Sequence, residues 1–159
     1  MHWKVRRGFF SRVEMFEGLG GRDLNALAKT CKEVQYADQE ILCRQGERGI
    51  TAFLIISGKV RVENELENGE TVVVAELEQG SMVGELSVID GAERVATVRA
   101  LGDVEALVLT QWNMQALIKT RPSIAAAMLP VIVKRFRETA NELRHRDRES
   151  TRGREAAYH

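Results

Sequence analysis

The residues with the clearest chemical potential lie in one interval, Gly80 to Ala100, between two strand-like stretches. The interval is too long for a simple hairpin loop, and long inserts in compact domains tend to be functional. Glu85 to Ile89 reads as a single helical turn. Its first amides would face whatever lies before Gly84, and a helix start of this kind receives anions. Arg94 follows Glu85 by nine residues and can grip a phosphate with two parallel hydrogen bonds. A carboxylate does not favourably face a phosphate, but it accepts from a sugar hydroxyl. A phosphorylated sugar satisfies both groups. The plain alternative is a solvated Glu85 and an Arg94 paired with a surface acid, because a Gly-Glu pair with one arginine occurs in many loops.

Something must hold this interval open. Val34–Leu42, Ala52–Ile56, Val60–Leu66, Thr71–Leu77, Val95–Leu101 and Val104–Leu109 are short and rich in β-branched residues. Val60, Val62 and Leu66 interleave with Arg61, Glu63 and Glu65, a period near two. Ser57-Gly58, Asn68-Gly69 and Gly102-Asp103 separate the runs, and Asn-Gly is a strong hairpin signal because both residues tolerate positive φ. Many short antiparallel strands at regular spacing predict a barrel or roll. Before them, Leu24, Leu27 and Ala28 predict a helix over about 22–32, with a shorter one near 8–16. After them, Trp112, Leu117 and Ile118 predict a short helix, and Pro122 starts a longer one. Pro130 is expected to kink or divide that helix. The sequence from 144 on, polar and alternating in sign, reads as the helix end and then a frayed tail. The expected class is therefore α+β: an antiparallel, jelly-roll-like barrel flanked by N-terminal helices and a C-terminal helix pair. One domain covers 1–148, with the roll at about 34–110, the last helices at about 111–147 and a polar tail at 149–159.

Composition narrows the function. The chain has 159 residues, 44% hydrophobic and 29% charged, enough for a sizeable core. Lysine plus arginine equals aspartate plus glutamate at 23 each, which argues against a dedicated nucleic-acid-binding domain. Within that balance, Val60 to Leu109 is acidic and Lys134 to Glu155 mildly basic. The longest apolar stretch, Ile124 to Val133, is too short to span a bilayer. No secretory signal is read at the start. Cys31 and Cys43 form neither a metal-spaced pair nor a disulfide framework and read as half-buried structural thiols, so the reading is a cytoplasmic protein. His2, His145 and His159 lie at or near the ends. No nucleophile–base constellation, metal spacing or phosphate-cradling P-loop appears, so no catalytic residue, metal or cofactor is assigned and an enzyme is not expected.

Gly84-Glu85-Leu86-Ser87 followed by Arg94-Val95-Ala96-Thr97-Val98 resembles the phosphate-binding cassette of the cyclic nucleotide-binding domain family. That family includes the bacterial catabolite activator protein, the regulatory subunits of the cAMP-dependent kinase and cyclic-nucleotide-gated channels. The resemblance extends over about 11–145 through Phe16, Leu19, Gly46-Glu47 and Phe53-Leu54-Ile55-Ile56-Ser57-Gly58. It implies that Glu85 accepts from the ribose 2′-hydroxyl and that Arg94 pairs with the exocyclic phosphate oxygens. Gly84 would permit close backbone approach, and the amides near Leu86, Ser87, Val95 and Ala96 would complete the cradle. Charge-assisted hydrogen bonds of this kind are worth roughly 1.5–3 kcal/mol each.

The sequence departs from the family pattern at three places. Val83 stands where an aromatic is usual, Glu93 where a proline is usual, and Val95 where alanine, serine or threonine is common. A hydroxyl at position 95 would favour guanine, so Val95 points to cAMP, with cGMP as the second candidate. The resemblance also implies a lid: Phe136 covering the purine and Thr139 bonding the adenine amino group, with Ala140 beside them. Phe136 as core or dimer seam and Thr139 as an exposed residue is the competing reading. The stripe Ile132, Phe136, Thr139, Leu143 suits a helix–helix seam and hence a homodimer. The expected function is a non-catalytic sensor that signals to an effector protein by moving its lid helix. Two alternatives stand beside it: a degenerate domain acting as an interaction scaffold, and a truncated transcription regulator. The polar stretch after Leu143 cannot bury a helix-turn-helix core, so no DNA binding by this chain alone, and no membrane, is expected.

Overall fold

The computed structural model describes residues 1–157; Tyr158 and His159, at the end of the expected tail, lie outside the described residues. The chain opens with helix α1 (Trp3–Ser11), a 3-10 turn (Glu14–Phe16) and helix α2 (Gly21–Thr30). Strands β1 (Lys32–Tyr36), β2 (Ile41–Cys43), β3 (Thr51–Glu65), β4 (Thr71–Leu77) and β5 (Met82–Val83) follow. A one-turn helix α3 (Ser87–Asp90), strand β6 (Thr97–Thr110), and helices α4 (Gln111–Thr120) and α5 (Pro122–Ala157) complete it. The chain thus forms the expected α+β class, an antiparallel roll flanked by N-terminal helices and a C-terminal helix pair.

The sheet runs β1-β6-β3-β4, with β2 on β6 and β5 on β3. β3 is buried on both faces over Ala52–Ile56 because its two faces serve two cores. Side chains alternate across a strand: Ala52, Leu54 and Ile56 meet Phe10, Phe16, Leu27, Met114, Ile124 and Met128 from the helices. Phe53 and Ile55 point into the roll with Cys43, Val60, Val98, Ala100, Val104 and Ala106. Burying each large apolar side chain is worth about 1.5–3 kcal/mol, so β3 ties the helical layer and the roll into one unit.

Several expected boundaries shift. Ala52–Ile56 and Val60–Leu66 are one strand, as are Val95–Leu101 and Val104–Leu109, less their outermost residues. Ser57-Gly58 and Gly102-Asp103 are not hairpin turns but irregularities facing each other across the β3–β6 ladder. Gly58 has φ +87°, and a Cβ there would lie 3.1 Å from Val104 Cα, so the paired strands bend together at this corner. Val34–Leu42 is broken at 37–40, between β1 and β2. The helix expected near 8–16 is α1 plus the separate 3-10 turn.

α5 is one helix of 36 residues, about 54 Å long at 1.5 Å per residue. Pro130 does not divide it. Pro130 and Ala126 are both exposed, so the carbonyl that loses its donor can turn to water. The stretch expected to fray is helical to Ala157. Its alternating charges set Glu142 and Arg146, Arg144 and Asp147, and Arg152 and Glu155 three or four apart, spacings that favour a helix. Ile124, Met128 and Val131 bury the inner face of α5. Its first turn is anchored by buried Asp23, which accepts from Arg121 Nη1 at 3.1 Å and Ser123 Oγ at 2.6 Å. Among the described residues no single helix is long and apolar enough to cross a membrane.

Candidate functional site

The interval between β5 and β6 folds around a cavity of about 270 Å³. Strand β5 pairs with Phe53 and Leu54 of β3 and delivers Val83 and Gly84 to its edge. The chain then turns into α3, with Val88 N donating to Gly84 O and Gly91 N to Ser87 O. On the far side, Arg94 is clamped by the loop before β3: its N–H donates to Glu47 O at 2.7 Å and its C=O accepts from Gly46 N at 2.8 Å. Two segments distant in sequence are thereby held face to face.

Val83, Gly84, Glu85, Ser87, Arg94, Val95 and Ala96 line the cavity. Cys43, Val62, Leu77, Met82 and Val98 add an apolar wall. Burial raises the Cys43 thiol pKa, against the nearby charge of Arg94. Neither cysteine is half-buried as expected: Cys43 in this wall and Cys31 in the helical core are both buried and free.

Arg94 is 6% exposed. Its Nη2 donates to Thr51 O and, at 3.1 Å, to Thr51 Oγ1, and the guanidinium lies 5.8 Å from the Phe53 ring centroid. These acceptors are neutral. Among the described residues no carboxylate lies within ion-pair distance of Arg94. Buried charges are normally paired, and the chain supplies no anion for this one. The plain alternative of a surface acid is therefore excluded. Gly84 makes room for it: its φ is +78°, and a Cβ there would collide with Arg94 Nη1 and sit 2.9 Å from Thr51 O.

Several backbone amides nearby are unbonded. Among the described residues, the N–H groups of Glu85, Leu86, Ser87, Val95 and Ala96 donate to no backbone acceptor. They stand just before and at the start of α3 and just after Arg94. Leu86 is not brought to the cavity; its side chain is 46% exposed.

Glu85 is not solvated. Its Oε1 accepts from Arg135 Nη1 of α5 at 2.6 Å, and Arg135 Nε reaches Glu14 at 3.3 Å. Burial opposes the charge of Arg135, yet the bonds and charges of Glu85 and then Glu14 outweigh it and raise its pKa. Sequence reasoning missed Arg135. The signal was its spacing: Ile124, Met128, Val131 and position 135 follow one helical face.

Phe136 and Thr139 are not brought to the cavity. Phe136 is 73% exposed and Thr139 is exposed. Ile132 packs against the helical core, so the stripe read from the sequence is displaced. On α5 the exposed large apolar residues are Leu129, Val133, Phe136 and Leu143, at coiled-coil spacing. A larger cleft of about 530 Å³ lies at Tyr36, Ser57 and Asp103. It carries Glu40, Asp103 and Glu105 and no cation, so it repels an anion.

The fold, an antiparallel roll flanked by helices with a buried arginine beside a glycine turn, defines the class to which the chain is compared. The sequence profile described as the cyclic nucleotide-binding domain matches residues 33–121, and the chain belongs to that family. It is 28% identical over 133 residues to the CRP-like cAMP-activated global transcriptional regulator of Mycobacterium tuberculosis, covering 84% of this chain and 59% of that protein. The cyclic AMP receptor protein of Thermus thermophilus is 30% identical over 129 residues, covering 81% and 60%. The chain therefore spans about three-fifths of the length of these relatives. Among solved structures, the N-terminal domain of a transcriptional regulator from Streptomyces coelicolor A3(2) is 28% identical with a TM-score of 0.77, covering 84% of this chain and 95% of that one.

Proposed function

We propose that this chain is a non-catalytic sensor of a cyclic nucleotide, cAMP in the first place, that signals through α5. The observation that carries the reading is Arg94, a buried cation with neutral acceptors only, beside five amides that donate to no backbone acceptor. An exocyclic phosphate satisfies both. Glu85 has a second carboxylate oxygen beside the one that Arg135 holds, and that oxygen accepts the ribose hydroxyl. Val62, Leu77 and Met82 offer the base an apolar wall. Val95 has no hydroxyl for a guanine amino group, which favours adenine. Two relatives named for cAMP point the same way.

Signalling follows from the shared carboxylate. A ligand on Glu85 alters the bond to Arg135 and thus the set of α5 on the roll. Phe136 and Thr139 reach the base only after α5 moves. The exposed stripe Leu129, Val133, Phe136 and Leu143 is the seam through which two copies form a homodimer, and the effector is a protein that reads the position of α5. The setting is the cytoplasm, with no DNA or membrane bound by this stretch of chain. The departure at Val95, which is 83% exposed, favours a second reading, a scaffold without nucleotide. Calorimetry against cAMP, cGMP and 5′-AMP separates them. Heat selective for cAMP supports the sensor; no heat from folded protein supports the scaffold.

A further inference from the structure

The charged side chains lining the cavity are Arg94, Glu85 and Glu93. Arg94 donates to Thr51, and Glu85 is paired with Arg135 at 2.6 Å. Glu93 makes no salt bridge among the described residues. Its backbone is nevertheless fixed. Glu93 lies opposite Arg48 in an isolated antiparallel bridge. Gly49 N to Ala92 O at 2.8 Å and Arg94 N to Glu47 O at 2.7 Å close that bridge on either side. The side chain is exposed and yet lines the cavity, which places it at the rim, one residue from the Arg94 guanidinium.

An unpaired carboxylate at the rim works against any anion that enters, and the repulsion scales with the anion's charge. A cyclic phosphate is a diester with one ionisable oxygen, so it carries one negative charge. A 5′-phosphate is a monoester and carries about 1.5 to 2 at pH 7. Base and ribose are the same in cAMP and 5′-AMP, so the walls that hold those parts separate the two poorly. The charge at the rim separates them directly. Selectivity is a difference of affinities, and a fixed like charge builds it by penalising the wrong ligand more than the right one.

We propose that Glu93 is a specificity-determining residue, whose carboxylate rejects nucleotides with more than one phosphate charge and weakens the singly charged cyclic nucleotide less. This rests on the sensor reading above and adds to it the residue that tells a cyclic diester from a monoester. Arg94 attracts both kinds of phosphate; Glu93 sets the difference between them.

The test is competition calorimetry of the full chain with cAMP and 5′-AMP, on the parent and on Glu93→Gln, which keeps the side chain's size and removes its charge. Both affinities are expected to rise, cAMP about threefold and 5′-AMP about tenfold, because a nearly doubled charge nearly squares the factor. Both gains should shrink as salt rises. Glu93→Lys reverses the charge and should carry the trend further, narrowing the preference for cAMP again; it serves if the first variant does not fold. Glu67→Gln removes the same charge at an exposed turn position between β3 and β4 and is expected to change neither affinity. A folded Glu93→Gln that binds neither ligand more tightly than the parent, or gains equally for both, overturns the proposal and leaves the sensor reading in place. Matching gains from Glu67→Gln also overturn it, since net charge alone would then be responsible. A parent that binds neither nucleotide overturns the sensor reading itself, and this inference with it.

Discussion

The Val83–Ala96 segment and the outer turns of α5 are built in opposite ways. In the first, the backbone is pinned at several points by hydrogen bonds: Gly84 to α3, Arg94 to the Gly46–Glu47 loop, Gly49 to Ala92. Its donors are in place before any ligand arrives. In the second, α5 is held at its base by Asp23 and at mid-length by Arg135, and the turns beyond expose Phe136 and Leu143. A fixed segment and a helix held at two points suit the two halves of the proposed function, the first to bind and the second to move. Arg135 joins them, because it bonds to the carboxylate that also lines the cradle.

That division can be broken at the cradle first. Arg94→Ala is expected to cost about one to two decades of cAMP affinity, read by calorimetry, while circular dichroism shows the fold retained. Gly84→Ala is expected to cost about one decade, because the new methyl group pushes the guanidinium aside in a backbone geometry that disfavours side chains. A normal affinity in that variant would show that Arg94 is not used where it lies.

The tether should give a smaller effect. Arg135→Ala leaves Glu85 unoriented, and cAMP affinity is expected to fall about threefold to fivefold, roughly half a decade. Hydrogen exchange over 132–145 should rise at the same time. Loss of affinity without faster exchange would separate binding from helix movement and contradict the coupling.

The smallest effect lies outside both regions. Burial pushes the Cys31 thiol up to about 12 from 9.0, against the charge of Arg6. The unfolded chain therefore releases this proton from about pH 9, while the folded chain keeps it until about pH 12. The native state binds more protons in that window, so stability is complete below pH 9 and declines above it. Thermal melts of Cys31→Ala should show a shallower alkaline decline than the parent, whatever the variant's starting stability.

The cradle was legible in the sequence because its parts are contiguous. Gly84 through Ser87 and Arg94 through Ala96 carry their own turn geometry, and strand alternation predicted the roll that holds them. The placement of the expected lid residues was not legible in the same way. Where Phe136 and Thr139 point depends on the set of a long helix, fixed by contacts about a hundred residues apart, such as Asp23 with Ser123. The frayed tail was misjudged because local charge spacing, not burial, sustains those turns. The strand breaks at Ser57-Gly58 and Gly102-Asp103 were misjudged because two irregularities facing each other make a bend, which neither reveals alone.

The most direct measurement is the amide spectrum of the isotope-labelled chain with and without cAMP. The account predicts that the largest shifts fall on the N–H groups of Glu85, Leu86, Ser87, Val95 and Ala96 and on the Arg94 guanidinium, with the cleft at Tyr36 and Asp103 unchanged. Shifts centred on that cleft, or none anywhere in a folded chain at saturating cAMP, would contradict it.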